Sequence, residues 1–279
     1  MKILITGGSG FLGKHIIEHY SRNHNVRAPT SLEVDFSCSQ QVDSFFLSNK
    51  FDIVLHAAIK GGKRTDIENF ENFITNLKMY ENLKNNSMHF KKIVNFCSGA
   101  AFDREAEIFV RKEESIFNSL PKDFYGLAKN LIARDINLCE NNFINLRLFG
   151  CFGLYENNNR FIKHSLLKCI ADEPVEVHQD RYMDFFWVED LLKVTDRLLQ
   201  DENPITIDYN LCYEEKYLLT DIANIIKYLT GSPHDVILHQ EILNKSYSGS
   251  GEKLLDLGVK LKGLETGIES IYRNLLRKK

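Results

Sequence analysis

The run Thr6-Gly7-Gly8-Ser9-Gly10-Phe11-Leu12-Gly13, set directly behind the apolar stretch Lys2–Thr6, constrains this chain more than any other segment. Its glycines satisfy two spacings. Positions 8, 10 and 13 form G-x-G-x-x-G, and positions 7, 10 and 13 form G-x-x-G-x-x-G. Side chains at these points would bar a ligand from the backbone. A helix opening at Phe11 presents unpaired N–H groups and partial positive charge, which suits a pyrophosphate. A glycine-rich turn alone is only a tight turn. A strand before it and a helix after it make it a dinucleotide cradle, with Gly7, Ser9, Gly10, Phe11 and Leu12 as its lining.

The alternation continues. Lys2–Thr6, Asn25–Ala28, Asp52–Ala57, Lys92–Cys97 and Phe143–Phe149 are short, nearly continuous apolar runs, as parallel strands buried on both faces should be. Helices are expected near 11–22, 39–49, 70–86 and 124–141. This rhythm predicts an α/β fold with a Rossmann-type doubly wound parallel sheet. After about Gly150 the rhythm changes. A helix at 160–172, a strand at Val175–Val177, the stretch Asp184–Val188, a helix at 189–200 and a strand at Ile205–Asn210 come first. A helix at Leu218–Tyr228, a strand at Asp235–His239 and a helix near 264–277 follow. These predict a smaller α/β C-terminal substrate lobe. The expected domains are 1–155, to which 180–203 returns, and a lobe of 156–179 and 204–279.

Composition narrows the class. The 279 residues are 43% hydrophobic and 26% charged with a net charge of -3, ordinary for a globular protein. No basic excess points to a nucleic-acid or membrane partner. No apolar run reaches the ~20 residues that span a bilayer, which reads as a cytoplasmic protein. Six cysteines without metal or redox spacing fit free thiols in a reducing compartment. His15 and His19 lie one helical turn apart with no third ligand in view, so no metal is expected.

The second expected strand ends in Asn25-Val26-Arg27-Ala28-Pro29-Thr30-Ser31, with no acidic residue at the point where a carboxylate would hold an NAD ribose. Arg27 can meet a 2′-phosphate, with Thr30 and Ser31 as neutral donors. The reading favours NADP(H) over NAD(H). Tyr125 and Lys129 stand four apart on an expected helix and share a face. A phenol ionises near pH ~10; a nearby ammonium lowers that value. Ser98 closes the strand-like run Lys92–Cys97 and can hydrogen-bond a carbonyl. Hydride transfer to a carbonyl, with the tyrosine supplying the proton, is the chemistry these groups suit.

In this order, the residues resemble the extended short-chain dehydrogenase/reductases, in particular the nucleotide-sugar epimerases, dehydratases and 4-ketoreductases. The resemblance runs along nearly the whole chain. It makes Ser98, Tyr125 and Lys129 the catalytic trio, with Lys129 also on the nicotinamide ribose. It assigns Asp35 to the adenine, and Ala57, Ala58, Lys60, Asn76 and Phe149 to the cofactor's border. The segment Ala57-Ala58-Ile59-Lys60-Gly61-Gly62 is similar to that of the GDP-fucose synthases. Their epimerase cysteine corresponds to Ala100 here and their histidine falls near Arg160, so the resemblance implies a reductase without that pair. The dehydratases' Asp-Glu pair is replaced by Gly99-Ala100. Arg181, Phe185, Ala100 and Arg160 are the implied substrate residues. Met183 stands in place of the family's arginine and Gly150 in place of its asparagine.

The expected activity is NADPH-dependent reduction of the 4-keto group of a nucleotide-activated deoxysugar for surface polysaccharides, and the resemblance implies a homodimer paired through the helices near 70–86 and 124–141. A 4-epimerase with tightly bound NAD is the alternative. A non-catalytic cofactor-binding scaffold is a third reading.

Overall fold

The computed structural model describes residues 1–62, 69–139, 143–201 and 207–277. Its strands and helices, in chain order, are β1 (Lys2–Thr6), α1 (Phe11–Tyr20), β2 (Asn25–Arg27), α2 (Ser39–Leu47), β3 (Ile53–His56), α3 (Phe70–Asn85), β4 (Lys92–Ser98), β5 (Ile108–Arg111), α4 (Phe124–Leu138), β6 (Phe143–Leu148), β7 (Cys151–Phe152), α5 (Phe161–Ile170), β8 (Glu176–Gln179), β9 (Phe186–Trp187), α6 (Val188–Gln200), β10 (Asp208–Leu211), α7 (Leu219–Thr230), β11 (Ile237–Gln240), β12 (Tyr247–Gly249), α8 (Glu252–Asp256) and α9 (Leu264–Leu276). The expected end of the helix to 141 and the expected strand start at Ile205 fall outside the described residues.

Six strands form one sheet in the order β10-β6-β4-β3-β1-β2. β1 pairs in parallel with β2 on one side (Leu4 opposite Arg27) and with β3 on the other (Thr6 opposite His56). β3 in turn pairs in parallel with β4. The α/β, Rossmann-type reading stands. The chain leaves β1 in one direction for β2 and returns on the other side for β3. The carboxyl end of β1 is therefore a topological switch point, where open α/β sheets bind ligands.

The strands are apolar because both faces are covered. Ile3, Leu4, Ile5, Val54, Leu55, Ile93 and Val94 are fully buried, each worth about 1.5–3 kcal/mol of hydrophobic stabilisation. A polar chain also crosses the sheet. Asn95 donates to Asn145 Oδ1 at 2.7 Å, Asn145 donates to Asp208 Oδ1 at 2.7 Å, and Arg147 donates to Asp208 Oδ2 at 2.9 Å.

Two compact units divide the described chain. The first comprises 1–105, 113–147 and 195–209; the second comprises 106–112, 148–194 and 210–279. The second contains the parallel pairs β8–β11, β5–β12 and β7–β9. Val175, Val177 and Ala223 form one of its cores, packed against Phe161, Leu219 and Val236. All six cysteines are free. Among the described residues no helix is long and apolar enough to cross a membrane, and no group of three or more His, Cys, Asp or Glu is placed to hold a metal ion.

Candidate active site

The site in the first unit starts at the switch point. Gly7 has φ +73°, the left-handed region that glycine adopts without strain. A Cβ on it would lie 2.6 Å from the Ala58 nitrogen and 2.7 Å from the Ala57 carbonyl oxygen. The end of β1 therefore runs flush against the segment leaving β3, and only backbone fits between them. Gly10 donates its N–H to the Gly7 carbonyl at 3.0 Å. A Cβ on Gly13 would come within 2.1 Å of that same oxygen. No side chain caps α1, so its first-turn N–H groups remain for an anion. These features fit a dinucleotide pyrophosphate.

Beneath the cradle, Thr6 Oγ1 accepts the Ala58 N–H at 3.2 Å and shares a 2.7 Å hydrogen bond with His56 Nδ1. His56 is enclosed, and burial first, then the Lys129 ammonium, pushes its pKa down to about 3. It is a neutral core histidine. Asn76 of α3 holds the next stretch. It accepts the Lys60 N–H at 2.8 Å and donates to the Lys60 carbonyl at 3.0 Å. The Asn76 amide is thereby committed to the backbone of Lys60, while the Lys60 side chain is exposed. Two residues on, a Cβ on Gly62 would lie 2.6 Å from Tyr125 Cε2. Asn76 thus helps set the backbone that runs beside the tyrosine ring.

Ser98, Tyr125 and Lys129 are positioned by one strand end and one helix. Asp123 caps α4, accepting the Gly126 N–H at 2.6 Å, and an acidic cap also suits the helix dipole. Tyr125 is the second residue of that helix. A Cβ on Gly126 would sit 2.5 Å from the Ala100 carbonyl oxygen. The absence of that Cβ lets the first turn of α4 press onto the turn carrying Ser98. Ser98 closes β4 and its Oγ accepts the Ala100 N–H at 3.2 Å. Lys129, one helical turn beyond Tyr125, is buried and donates to the Phe96 carbonyl at 2.7 Å, two residues before Ser98. Burial holds its ammonium below the ordinary lysine range. Ala100 itself is 1% exposed; its backbone, more than its methyl, shapes the turn.

The end of β2 differs from the expectation. No acidic residue stands there in sequence, yet the turn returns Glu33 to it. Arg27 Nη2 donates to Glu33 Oε1 at 2.9 Å, while the Thr30 N–H and O–H donate to Oε2 at 2.8 and 3.1 Å. Thr30 is thereby committed inside the chain. The Thr-x-x-Glu spacing of a capping box was the signal that could have shown this. Asp35 lies in the same connection. Its Oδ1 accepts the Ser37 N–H and O–H at 2.9 and 2.7 Å, which hold its carboxyl below the usual range.

In the second unit, Phe149 is buried against Tyr247 (ring centroids 5.3 Å apart), and a Cβ on Gly249 would meet its ring at 2.4 Å. Phe185 stacks on Phe161 at 5.9 Å. Gly150 has a packing reason: a Cβ on it would be 2.7 Å from the Asp184 carbonyl oxygen and 3.0 Å from the Phe185 ring. An asparagine does not fit this arrangement. Arg181 Nη2 lies 3.4 Å from the Met183 sulfur, so a guanidinium stands beside the methionine that replaces the family's arginine. Arg160 precedes α5, half-exposed, 3.8 Å from Glu156. Burial pushes the Glu156 carboxyl up to about 8. Asp184, also buried, is raised to about 6 and is held by Lys216 at 3.0 Å and the Gly249 N–H at 2.8 Å.

The model of the NAD dependent epimerase/dehydratase family matches residues 3–212. The chain belongs to that family. GDP-L-colitose synthase of Yersinia pseudotuberculosis is 25% identical over 261 residues, 83% of this chain and 82% of that protein. Among solved structures, a GDP-mannoheptose C4 reductase from Campylobacter jejuni with NADP bound has a TM-score of 0.81 at 23% identity, covering 98% of this chain and 97% of that one. UDP-glucose 4-epimerase from Thermotoga maritima has a TM-score of 0.82 at 17% identity, covering 100% and 99%. A structure named as a C4 reductase and one named as a 4-epimerase thus both share this fold. The chemistry has to be read from side chains.

Proposed function

We propose that this protein reduces the 4-keto group of a nucleotide-activated 6-deoxysugar with NADPH, as a step in making sugars for surface polysaccharide. The observation that carries this reading is the packing of the Ser98 turn under the Tyr125 helix, next to a cradle that excludes side chains. Two similar proteins, a GDP-L-colitose synthase and a GDP-mannoheptose C4 reductase, support GDP as the nucleotide.

A nicotinamide dinucleotide, when bound, would supply the hydride. Gly7, Ser9, Gly10, Phe11 and Leu12 would hold its pyrophosphate, and Ala57, Ala58, Lys60, Asp35, Arg27 and Phe149 would border the rest. Ser98 hydrogen-bonds the substrate carbonyl. Tyr125 donates the proton to the oxygen that becomes the alcohol. Lys129 lowers the cost of the phenolate left behind. Burial makes its lone ammonium costly, and the same burial strengthens its attraction to a neighbouring anion. Arg160, Arg181 and Phe185 bind the nucleotide sugar in this reading, and Ala100 takes the place of a protonating cysteine, so C3 and C5 keep their configuration. In this reading residues 1–155, to which 180–203 returns, form the cofactor domain and 156–179 with 204–279 form the substrate lobe, with Arg181 and Phe185 contributed to the sugar from the returning segment.

The protein is read as a cytoplasmic homodimer. Its free cysteines suit a reducing compartment. Phe70, Phe124, Leu131 and Leu138 are exposed apolar residues on α3 and α4, the helices assigned to the dimer. A light-scattering mass of one chain at micromolar concentration would remove that part.

The activity is tested with NADPH and CDP-, GDP- and dTDP-4-keto-6-deoxy sugars, with NMR of the product. NADPH oxidation in step with a GDP substrate is expected. Tyr125→Phe should lower kcat roughly 10²–10⁴-fold while NADPH binding is unchanged. Sugar interconversion without net NADPH oxidation would instead mark a 4-epimerase. Function that survives Tyr125→Phe would mark a scaffold.

A further inference from the structure

The turn after β2 carries a carboxylate, Glu33, to which the reaction above gives no role. Glu33 lies six residues beyond Arg27, yet its two oxygens take up Arg27 Nη2 (2.9 Å), the Thr30 N–H (2.8 Å) and the Thr30 O–H (3.1 Å). The turn is closed further by the Glu33 and Val34 N–H groups, both on the Thr30 carbonyl at 3.0 Å. A Cβ on Gly8 of the cradle would stand 3.3 Å from the Ala28 Cβ, so this turn continues directly from the cradle wall. The Thr30 amide first, and then Arg27, hold the Glu33 carboxyl below its usual range, and it is an anion at neutral pH.

We propose that Glu33 is a specificity-determining residue: its carboxylate claims donors that a ribose 2′-phosphate would use and places a negative charge beside that phosphate, which narrows the preference for NADPH over NADH. The inference rests on the reading that a nicotinamide dinucleotide occupies the cradle. Donor arithmetic supports it. Thr30 has one N–H and one O–H proton, and both go to Glu33. Arg27 has five donor hydrogens and commits only Nη2 to Glu33, so it keeps others for an anion. The Ser31 hydroxyl has no partner among the described residues. A 2′-phosphate would therefore be met by Arg27 and Ser31 with a carboxylate alongside, whereas a 2′-hydroxyl would find an acceptor in that carboxylate. Arg27 and Glu33 are 47% and 44% exposed, so water and salt screen the effect and keep it modest.

The test is the Kd of NADPH and of NADH for the full-length wild type, Glu33→Gln, Arg27→Ala and the double variant, at low and high salt. Glu33→Gln keeps the shape and one acceptor for Thr30, and removes both the charge and the oxygen that accepts from Arg27; the Arg27→Ala background separates these two effects. Glu33→Gln should tighten NADPH binding about three- to tenfold at low ionic strength, less at high salt, and leave NADH binding unchanged or weaker. On the Arg27→Ala background, Glu33→Gln should still tighten NADPH, because the repulsion acts without the ion pair. An unchanged NADPH-to-NADH ratio in both backgrounds, or weaker NADPH binding by Glu33→Gln, would overturn the proposal while leaving the cradle reading intact. A wild type that binds neither cofactor would remove the cradle reading and this inference with it.

Discussion

The turn after β1 and the turn after β2 are built from different material. The first is backbone. Gly7, Gly10 and Gly13 approach one another and Ala57–Ala58 so closely that a Cβ at position 7 or 13 would collide, and no side chain caps α1. The second is side chain. Arg27, Thr30 and Glu33 satisfy one another in half-exposed hydrogen bonds. A backbone cradle is recognised from spacing alone, because only glycine fits it. A side-chain turn has a composition that many arrangements share, and what its charges do depends on which of them meet.

This contrast predicts a graded response to substitution. Gly13→Ala should be the most damaging change, since its Cβ would press within 2.1 Å of the Gly7 carbonyl. Cofactor affinity by calorimetry should fall about 100-fold or more, equivalent to about 3 kcal/mol; near-normal binding would mean that the cradle is not built from backbone. Acid comes next. His56, neutral beneath the cradle with its pKa down at about 3, ionises near pH ~6.5 when unfolded. Between those values the unfolded chain takes up a proton that the folded one refuses, so stability falls as pH falls. The loss is about 2 kcal/mol between pH 6.5 and pH 5. Melts of His56→Gln should show a correspondingly flatter pH profile.

Gly7→Ala should cost about tenfold in cofactor affinity. A non-glycine residue in the left-handed region costs about 1–2 kcal/mol before any collision. Arg27→Ala should have the smallest effect, roughly two- to fivefold on NADPH and none on NADH, as expected for an exposed, already paired charge. A larger loss from Arg27→Ala than from Gly7→Ala would reverse the contrast between the two turns.

Much of the fold could be read from the sequence because local pattern decided it. The β1–α1 boundary, the buried strands at 53–56 and 92–98 and the helices holding Asn76 and Tyr125 follow from apolar runs and helix spacing. The placement of three candidate residues was legible for the same reason: Tyr125 and Lys129 share a helix, and Ser98 closes an apolar strand. What escaped was long-range. β5 and β12 are too short to show alternation, and their association includes a hydrogen bond from the Val110 N–H to Ser248 Oγ across 138 positions. The chain of Asn95, Asn145, Asp208 and Arg147 joins residues that are polar in sequence and buried only once the sheet forms. Glu33 is not visible at the end of β2 because the strand itself carries no carboxylate and a turn delivers this one from six residues away. Gly150 read as a departure from the family, and the Asp184–Phe185 backbone and ring explain it.

The central claim is net hydride transfer to C4 of the sugar. The most direct test supplies NADPH deuterated at the transferred position together with a GDP-4-keto-6-deoxy sugar. One cofactor should be oxidised per sugar, with deuterium at C4 of the product alcohol. Interconverted sugar without that label, and with no cofactor consumed, would contradict it.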